Sequence, residues 1–248
     1  GRGNDPVIVV GNISVGGTGK TPLTIALAQQ LVERGWHPLI VSRGYGGKSQ
    51  QPQQVSASST AQQVGDEPLL MARRDICPVW IGKDRAAAAH AAMQANPQCN
   101  IVLCDDGLQH YRLQRDVEIA VIDGARALGN GFLLPAGPLR EPLRRLAEVD
   151  ALVVNGERVV EQEIPMSLTA TDAVTLTDGA HRALRHFAPG PVHALAAIGN
   201  PGRFFRMLAL RYCALMSDGC VHAAFEASSN QDFSGCSASG CCCQKALS

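Results

Sequence analysis

Long apolar runs are missing from this chain. No window approaches the roughly 18–20 apolar residues of a membrane-spanning helix, and no basic-then-apolar leader opens the sequence. An excess of charge is missing too: 22 lysines and arginines face 22 aspartates and glutamates, which argues against a broad nucleic-acid-binding surface. Nor is there an evenly spread set of cysteines of the kind that staples a secreted domain. Cys77, Cys99 and Cys104 are scattered over the first 210 residues, whereas Cys213, Cys220, Cys236, Cys241, Cys242 and Cys243 crowd the end. These exclusions leave a cytoplasmic globular protein. With 46% hydrophobic residues, a chain of 248 has enough to bury the core of one large domain or two modest ones. The first residue is Gly1 and not Met, which leaves room for a segment upstream.

What is present begins with residues 11–22, which read Gly-Asn-Ile-Ser-Val-Gly-Gly-Thr-Gly-Lys-Thr-Pro between the apolar run Val7–Val10 and the helix-like stretch Leu23–Arg34. A strand, a glycine loop, Lys-Thr and a helix in that order suit a nucleoside triphosphate. The N–H groups of Gly16, Gly17 and Gly19 can approach phosphate oxygens with no side chain in the way, and the start of a helix favours negative charge. Lys20 is placed to reach the β- and γ-phosphates, and the Thr21 hydroxyl to bind Mg²⁺. Ser14 stands where the strict Gly-x4-Gly-Lys-Ser/Thr pattern has its first glycine. A glycine-rich turn with a solvated lysine is therefore the competing reading. The flanking strand and helix favour a phosphate-binding loop made of Ser14, Val15, Gly16, Gly17, Thr18, Gly19, Lys20 and Thr21.

Short β-like runs alternate with helix-like ones. Val7–Val10, Leu39–Val41, Val79–Ile81, Ile101–Cys104, Val117–Ile122 and Ala151–Val154 read as strands; Leu23–Arg34, Glu67–Arg74, Ala86–Gln94 and Glu141–Glu148 read as helices. In the first helix Leu23, Ala26, Leu27 and Leu31 form an apolar stripe expected to face the core. This alternation predicts an α/β fold, a mostly parallel sheet with helices on both faces. Between Lys48 and Gln63, ten of sixteen residues are Gln or Ser, which reads as a mobile surface loop. Ile164–Leu184 alternates as antiparallel strands do, and Val192–Ile198 followed by Pro201–Leu210 reads as a strand and a helix of a second unit. The expected organisation is a nucleotide-binding domain over 1–163, a linker and the start of a second α/β unit over 164–206, and an atypical tail over 207–248.

Four groups of residues carry chemistry. Asp105 and Asp106 end the apolar run Ile101–Cys104, where an aspartate of a phosphate-loop protein holds Mg²⁺; an Asp-Asp-Gly turn is the plain alternative. Asp66 and Glu67 follow Gly65 and precede Pro68, either as a helix start with first-turn carboxylates or as the carboxylates that handle an acceptor hydroxyl. Arg140, ahead of Arg144 and Arg145, is a candidate for neutralising phosphate charge during transfer. His110 and Tyr111 are candidates for a pocket wall, although a lone histidine is more often structural.

Taken together, residues 10–22, Ser42-Arg43-Gly44-Tyr45-Gly46-Gly47, Gly65-Asp66-Glu67-Pro68, Asp105–His110 and Leu134–Pro142 resemble the tetraacyldisaccharide 4'-kinases of lipid A biosynthesis, over roughly residues 6–205. Serine is ordinary in that family at the position of Ser14. The resemblance implies transfer of the γ-phosphate of ATP to the 4'-hydroxyl of a tetraacylated glucosamine disaccharide 1-phosphate. The implied place is the cytoplasmic face of the inner membrane of a Gram-negative bacterium, with the enzyme peripheral to that membrane. It further implies that Asp66 is the catalytic carboxylate, that Glu67, Asp105 and Asp106 neighbour the Mg²⁺, and that residues 14–21 hold ATP. The family fold is two α/β/α units joined by a β-linker.

The sequence departs from the family pattern twice. The family's apolar, basic N-terminal segment is not seen before the first strand. After Gly199–Phe205 the family's Asp-His-His segment, whose histidine supports the catalytic carboxylate, gives way to Met207–Cys213 and a run rich in Cys, Ser and Gly in which His222 is the only histidine. A change of reading frame would produce such a loss of pattern, so residues 207–248 are expected to be non-native or disordered. Two further readings stay open. One is a partition- or metallochaperone-type ATPase switch, although Val15 stands where those proteins often carry a signature lysine. The other is an inactive, truncated homologue that binds nucleotide.

Overall fold

The computed structural model describes residues 5–46, 51–156, 162–170, 172–175, 177–187, 193–196 and 201–215. In chain order the elements are β1 (Val7–Gly11), α1 (Lys20–Glu33), β2 (Pro38–Ser42), β3 (Gln53–Val55), α2 (Ala61–Val64), α3 (Asp66–Arg73), β4 (Val79–Ile81), α4 (Arg85–Ala95), β5 (Ile101–Asp105), β6 (Val117–Asp123), β7 (Ala151–Asn155), β8 (Ile164–Met166), β9 (Asp172–Val174), β10 (His181–Ala183) and α5 (Pro201–Leu215). They fall into two compact units divided between Ser167 and Leu168.

The first unit is built on one sheet of eight strands in the order β3-β4-β2-β5-β1-β6-β7-β8, parallel except for β3, which runs antiparallel to β4 at the edge. β5 lies beside β1, with Asp105 level with Val10. The central strands are apolar throughout because both of their faces are covered. Side chains alternate across the sheet. Leu39, Val41, Val102 and Cys104 pack with Ala88, Ala89 and Ala92 of α4 on one face. Ile40 and Leu103 pack on the other with Ala28 of α1 and Leu69 and Met71 of α3. Truncating a fully buried leucine such as Leu39 or Leu103 to alanine costs about 2–5 kcal/mol by lost transfer energy and cavity formation.

The core stripe of α1 differs from the sequence expectation. Thr21, Thr24 and Ala28 are its buried residues, Leu27 and Leu31 are half-buried, and Ala26 is exposed. The helix starts inside the loop, which turns its threonine face toward the end of β5, where Thr24 meets Asp105. Of the Gln- and Ser-rich segment, residues 48–50 lie outside the described residues, and residues 51–63 are more ordered than their composition suggests. It contributes edge strand β3 and helix α2, anchored by buried Val55 and Val64 and by a capping box between Thr60 and Gln63. The expected helix over Glu141–Glu148 is a 3-10 turn at Leu143–Ala147, because Pro142 delays its start and Arg145 is drawn inward to Glu118.

Of the alternating segment Ile164–Leu184, β8 pairs in parallel with β7 as the last strand of the main sheet. Only β9 and β10 form the antiparallel hairpin. In the second unit α5 continues to Leu215, through Met207 and past the expected end at Leu210. Residues 193–196 carry no regular structure. The rest of the expected strand Val192–Ile198, and the tail from residue 216 to 248, lie outside the described residues.

Candidate functional site

The parallel strands end on one rim, and four of them end on a buried polar side chain: Ser42 on β2, Asp105 on β5, Asp123 on β6 and Asn155 on β7. In open α/β sheets this rim is where ligands bind. The loop between β1 and α1 sits on it, with Val15, Gly16 and Gly17 exposed and Ser14 and Thr18 buried. Gly16 and Gly19 adopt φ of 97° and 101°, left-handed values that a side chain disfavours. Space excludes one as well, since a Cβ on Gly19 would lie 2.5 Å from Asn155 Nδ2 and one on Gly16 2.8 Å from Arg126 Nη1.

Those neighbours hold the loop by its carbonyl groups. Asn155 Nδ2 donates to Thr18 O at 3.0 Å and Arg126 Nη2 to Gly17 O at 2.6 Å. Arg126 is itself steadied by Asp123, whose Oδ2 accepts from Nε at 3.2 Å. Gly19 caps α1 without any side-chain bond to the first-turn N–H groups, and the buried Thr18 hydroxyl has no hydrogen-bond partner. An anion at this helix start would satisfy both. The loop residues present thus fit a polyphosphate.

Asp105 and Asp106 are adjacent but behave differently. Asp105 is wholly buried and accepts from Thr24 Oγ1 at 3.2 Å and from Ser42 Oγ at 3.5 Å. Burial, reinforced by the negative charge of Glu67, pushes its carboxyl up to about 7 despite the pull of Lys20. Asp106 takes a left-handed φ of 50°, and its Oδ1 lies 3.5 Å from Lys20 Nζ and 3.4 Å from Arg140 Nη1. Its carbonyl accepts from Arg85 at 3.3 Å. Three expected site residues from separate segments, Lys20, Asp106 and Arg140, therefore meet at one carboxylate oxygen. Partly exposed pairs of this kind add little stability; what they do is hold two cations at the mouth of the loop.

Arg140 is delivered by a strap, residues 138–141, laid along the loop. Val15 N donates to Pro138 O at 2.8 Å and Arg140 N to Ile13 O at 2.6 Å. Buried Glu141 fixes the strap from below, accepting from Gln109 Nε2 at 2.5 Å and from the Tyr111 hydroxyl. Gln109 also donates to Asn12 O at 2.8 Å, tying the strap to β1. Arg145 lies 3.5 Å from Glu141 and donates to Glu118, and that hydrogen bond to the carboxylate drives the Arg145 pKa up. Arg145 and Tyr111 are thus structural, and Arg144 is exposed. His110 accepts from Arg85 N at 3.2 Å, and its pKa is lowered, chiefly by burial.

Asp66 and Glu67 open α3, and both are exposed. The Glu67 charge reaches Asp105, whereas Asp66 lines an open groove beside α2. Gly65 is required between them and the Arg43–Gly46 segment: its φ is 90°, and a Cβ would lie 2.5 Å from Tyr45 O. Among the described residues no three His, Cys, Asp or Glu side chains gather into a ready-made metal cage. Glu67, Asp105 and Asp106 do not form one unaided, so a cation here would draw ligands from phosphate oxygens as well as from Thr21 and the carboxylates.

Sequence reasoning missed Asn155, Arg126 and the Gln109–Glu141 tie. For Asn155 a signal existed, a polar residue closing the apolar run Ala151–Val154 as Asp105 closes its own. Nothing local marks the other two.

A family model described as tetraacyldisaccharide-1-P 4'-kinase matches residues 2–238. The tetraacyldisaccharide 4'-kinase of Halorhodospira halophila is 54% identical over 204 residues, covering 82% of this chain and 61% of its own length. That of Methylobacillus flagellatus is 52% identical over 204 residues, again covering 82% and 61%. A crystal structure of the "apo" form of LpxK from Aquifex aeolicus in complex with ATP matches with a TM-score of 0.68 at 31% identity, covering 83% of this chain and 67% of that one. This chain spans about six-tenths of the length of the curated relatives it matches. It belongs to the tetraacyldisaccharide-1-P 4'-kinase family.

Proposed function

We propose that this chain carries the phosphotransfer site of a tetraacyldisaccharide 4'-kinase, moving the γ-phosphate of ATP to the 4'-hydroxyl of a tetraacyl glucosamine disaccharide 1-phosphate. The observation that carries the reading is the convergence of Lys20 and Arg140 on Asp106 at the mouth of a glycine loop held open by Asn155 and Arg126. Residues 14–21 cradle the phosphates. Lys20 and Arg140 lie where negative charge builds up during transfer, which stabilises the transition state more than the ground state. Asp66 accepts the proton of the 4'-hydroxyl as that oxygen bonds to phosphorus and ADP leaves. Mg²⁺, when bound, neutralises phosphate charge; Thr21, Asp105 and Asp106, with Glu67 at the edge, are the groups that would hold it.

The acceptor is a lipid, which places the work at the inner membrane's cytoplasmic face, with the protein peripheral. No helix among the described residues is long and apolar enough to cross a membrane. Phe132, Leu133 and Leu134, exposed at 62%, 46% and 53% just before the strap, suit contact with acyl chains.

Incubation with labelled ATP and the tetraacyldisaccharide 1-phosphate tests the proposal. Labelled lipid should form with Mg²⁺ present and fall by about 10²–10³ in Lys20→Ala. ATP hydrolysis that ignores the acceptor and yields no labelled lipid would instead identify a switch-type ATPase.

A further inference from the structure

The groove beside Asp66 has a volume of about 760 Å³ and is walled by Ser58, Ser59 and Thr60 on one side and by α3 on the other, with Leu69 in its lining and Arg73 at the far end. Asp66 and Arg73 are the first and last residues of α3. Seven positions apart, they share one face of the helix and stand two turns, about 10 Å, from one another. The groove thus has a carboxylate at one end, a guanidinium at the other and hydroxyl groups between. Arg73 is exposed, and among the described residues no acidic side chain forms an ion pair with it. The neighbouring Arg74, equally exposed, does not line the groove.

We infer that Arg73 is the specificity residue for the anionic end of the acceptor: its guanidinium binds the 1-phosphate of the disaccharide while the 4'-hydroxyl sits at Asp66. The inference rests on the proposed kinase activity and adds the direction in which the acceptor lies. A disaccharide phosphorylated at C1 and accepting at C4' has its two recognised groups at opposite ends of two linked pyranose rings, and α3 offers complementary groups two turns apart. A guanidinium takes phosphate oxygens bidentately. Ser58, Ser59 and Thr60 line the wall between those two groups, with their hydroxyls also engaged inside their own turn and at the start of α2. No bond forms or breaks at Arg73; it holds the acceptor in register for the step at Asp66.

The test is a cycle between protein and ligand. Binding of the water-soluble, deacylated glucosamine disaccharide 1-phosphate is compared with binding of the same disaccharide lacking the phosphate, in the wild type, Arg73→Gln and Arg74→Gln. The wild type and Arg74→Gln should prefer the phosphorylated sugar on the order of tenfold, and Arg73→Gln should bind both sugars equally. With the acylated acceptor, Arg73→Gln should raise the acceptor KM by a similar factor and leave kcat and the KM for ATP near wild type. Loss of the helix-terminal charge can lower the melting temperature of the variant but cannot by itself erase a preference between two ligands. A wild type with no preference, an Arg73→Gln variant that keeps it, or equal losses in Arg73→Gln and Arg74→Gln overturns the assignment. So does inorganic phosphate giving the same Arg73-dependent signal as the sugar phosphate. Because sugar binding is read without turnover, failure of phosphotransfer itself would show separately, as absent labelled lipid with the preference intact.

Discussion

The two acidic pairs of this protein stand in opposite surroundings. Asp105 and Asp106 close a central strand, the first sealed under Thr24 and Ser42 and the second gripped by Lys20 and Arg140. Asp66 and Glu67 begin a short surface helix and are exposed, with Asp66 on the wall of an open groove. The difference teaches how the work is divided. On the proposed reading, the groups that meet phosphate are positioned by the protein alone, so little is lost in ordering them when nucleotide arrives. On the same reading, the groups that meet the acceptor are left open for a substrate to complete. Substitutions on the two sides should therefore fail in different ways.

The largest effect is expected on the open side. Asp66→Ala should lower kcat by roughly 10²–10⁴, the range for losing a positioned acid–base group, with only the small fall in melting temperature that losing a first-turn carboxylate brings. Steady-state turnover with the lipid acceptor measures it, and a loss below tenfold would remove Asp66 from the chemistry. Lys20→Ala comes next, with kcat/KM for ATP expected to fall by about 10²–10³ as a cation at the developing charge disappears. Asn155→Ala should be milder. It deprives Thr18 O of its donor and lets the loop relax around Gly19, weakening nucleotide binding by about tenfold, readable by calorimetric titration. Unchanged binding would mean that the loop is rigid without its clamp.

The smallest expected effect concerns His110, near the sealed pair. Burial and the charge of Arg85 lower its pKa from 6.5, so the folded protein takes up this proton less readily than the unfolded chain. Stability from the neutral ring is therefore present above the unfolded value and lost as pH falls below about 6.5. His110→Gln lacks that loss. The melting-temperature advantage of the wild type should shrink between pH 7 and pH 5, and a constant gap would show that the ring does not titrate differently on folding.

Much of the sealed side was legible in the sequence because its signals are local. Three glycines, Lys20 and Thr21 follow one apolar run, and Asp105 and Asp106 close another. The clamp was not legible: Asn155 reaches Thr18 across 137 residues and Arg126 reaches Gly17 across 109, and no spacing rule links such pairs. The stripe on α1 was misread because hydrophobicity ranks Ala26 above Thr24, whereas the neighbour at the end of β5 is a carboxylate that needs a hydroxyl. The Gln- and Ser-rich segment was misread because composition concealed two anchors, Val55 and Val64, exposed at only 5% and 2%. That same segment forms one wall of the Asp66 groove, so the open side was the harder to read.

Equilibrium titration with Mg²⁺ and a non-hydrolysable ATP analogue, without acceptor, tests the division between the two sides most directly. The wild type and Asp66→Ala should bind with the same affinity, within about twofold, whereas Lys20→Ala should bind at least tenfold more weakly. If Asp66→Ala loses as much affinity as Lys20→Ala, the carboxylate belongs to the nucleotide side and the two halves of the site are one.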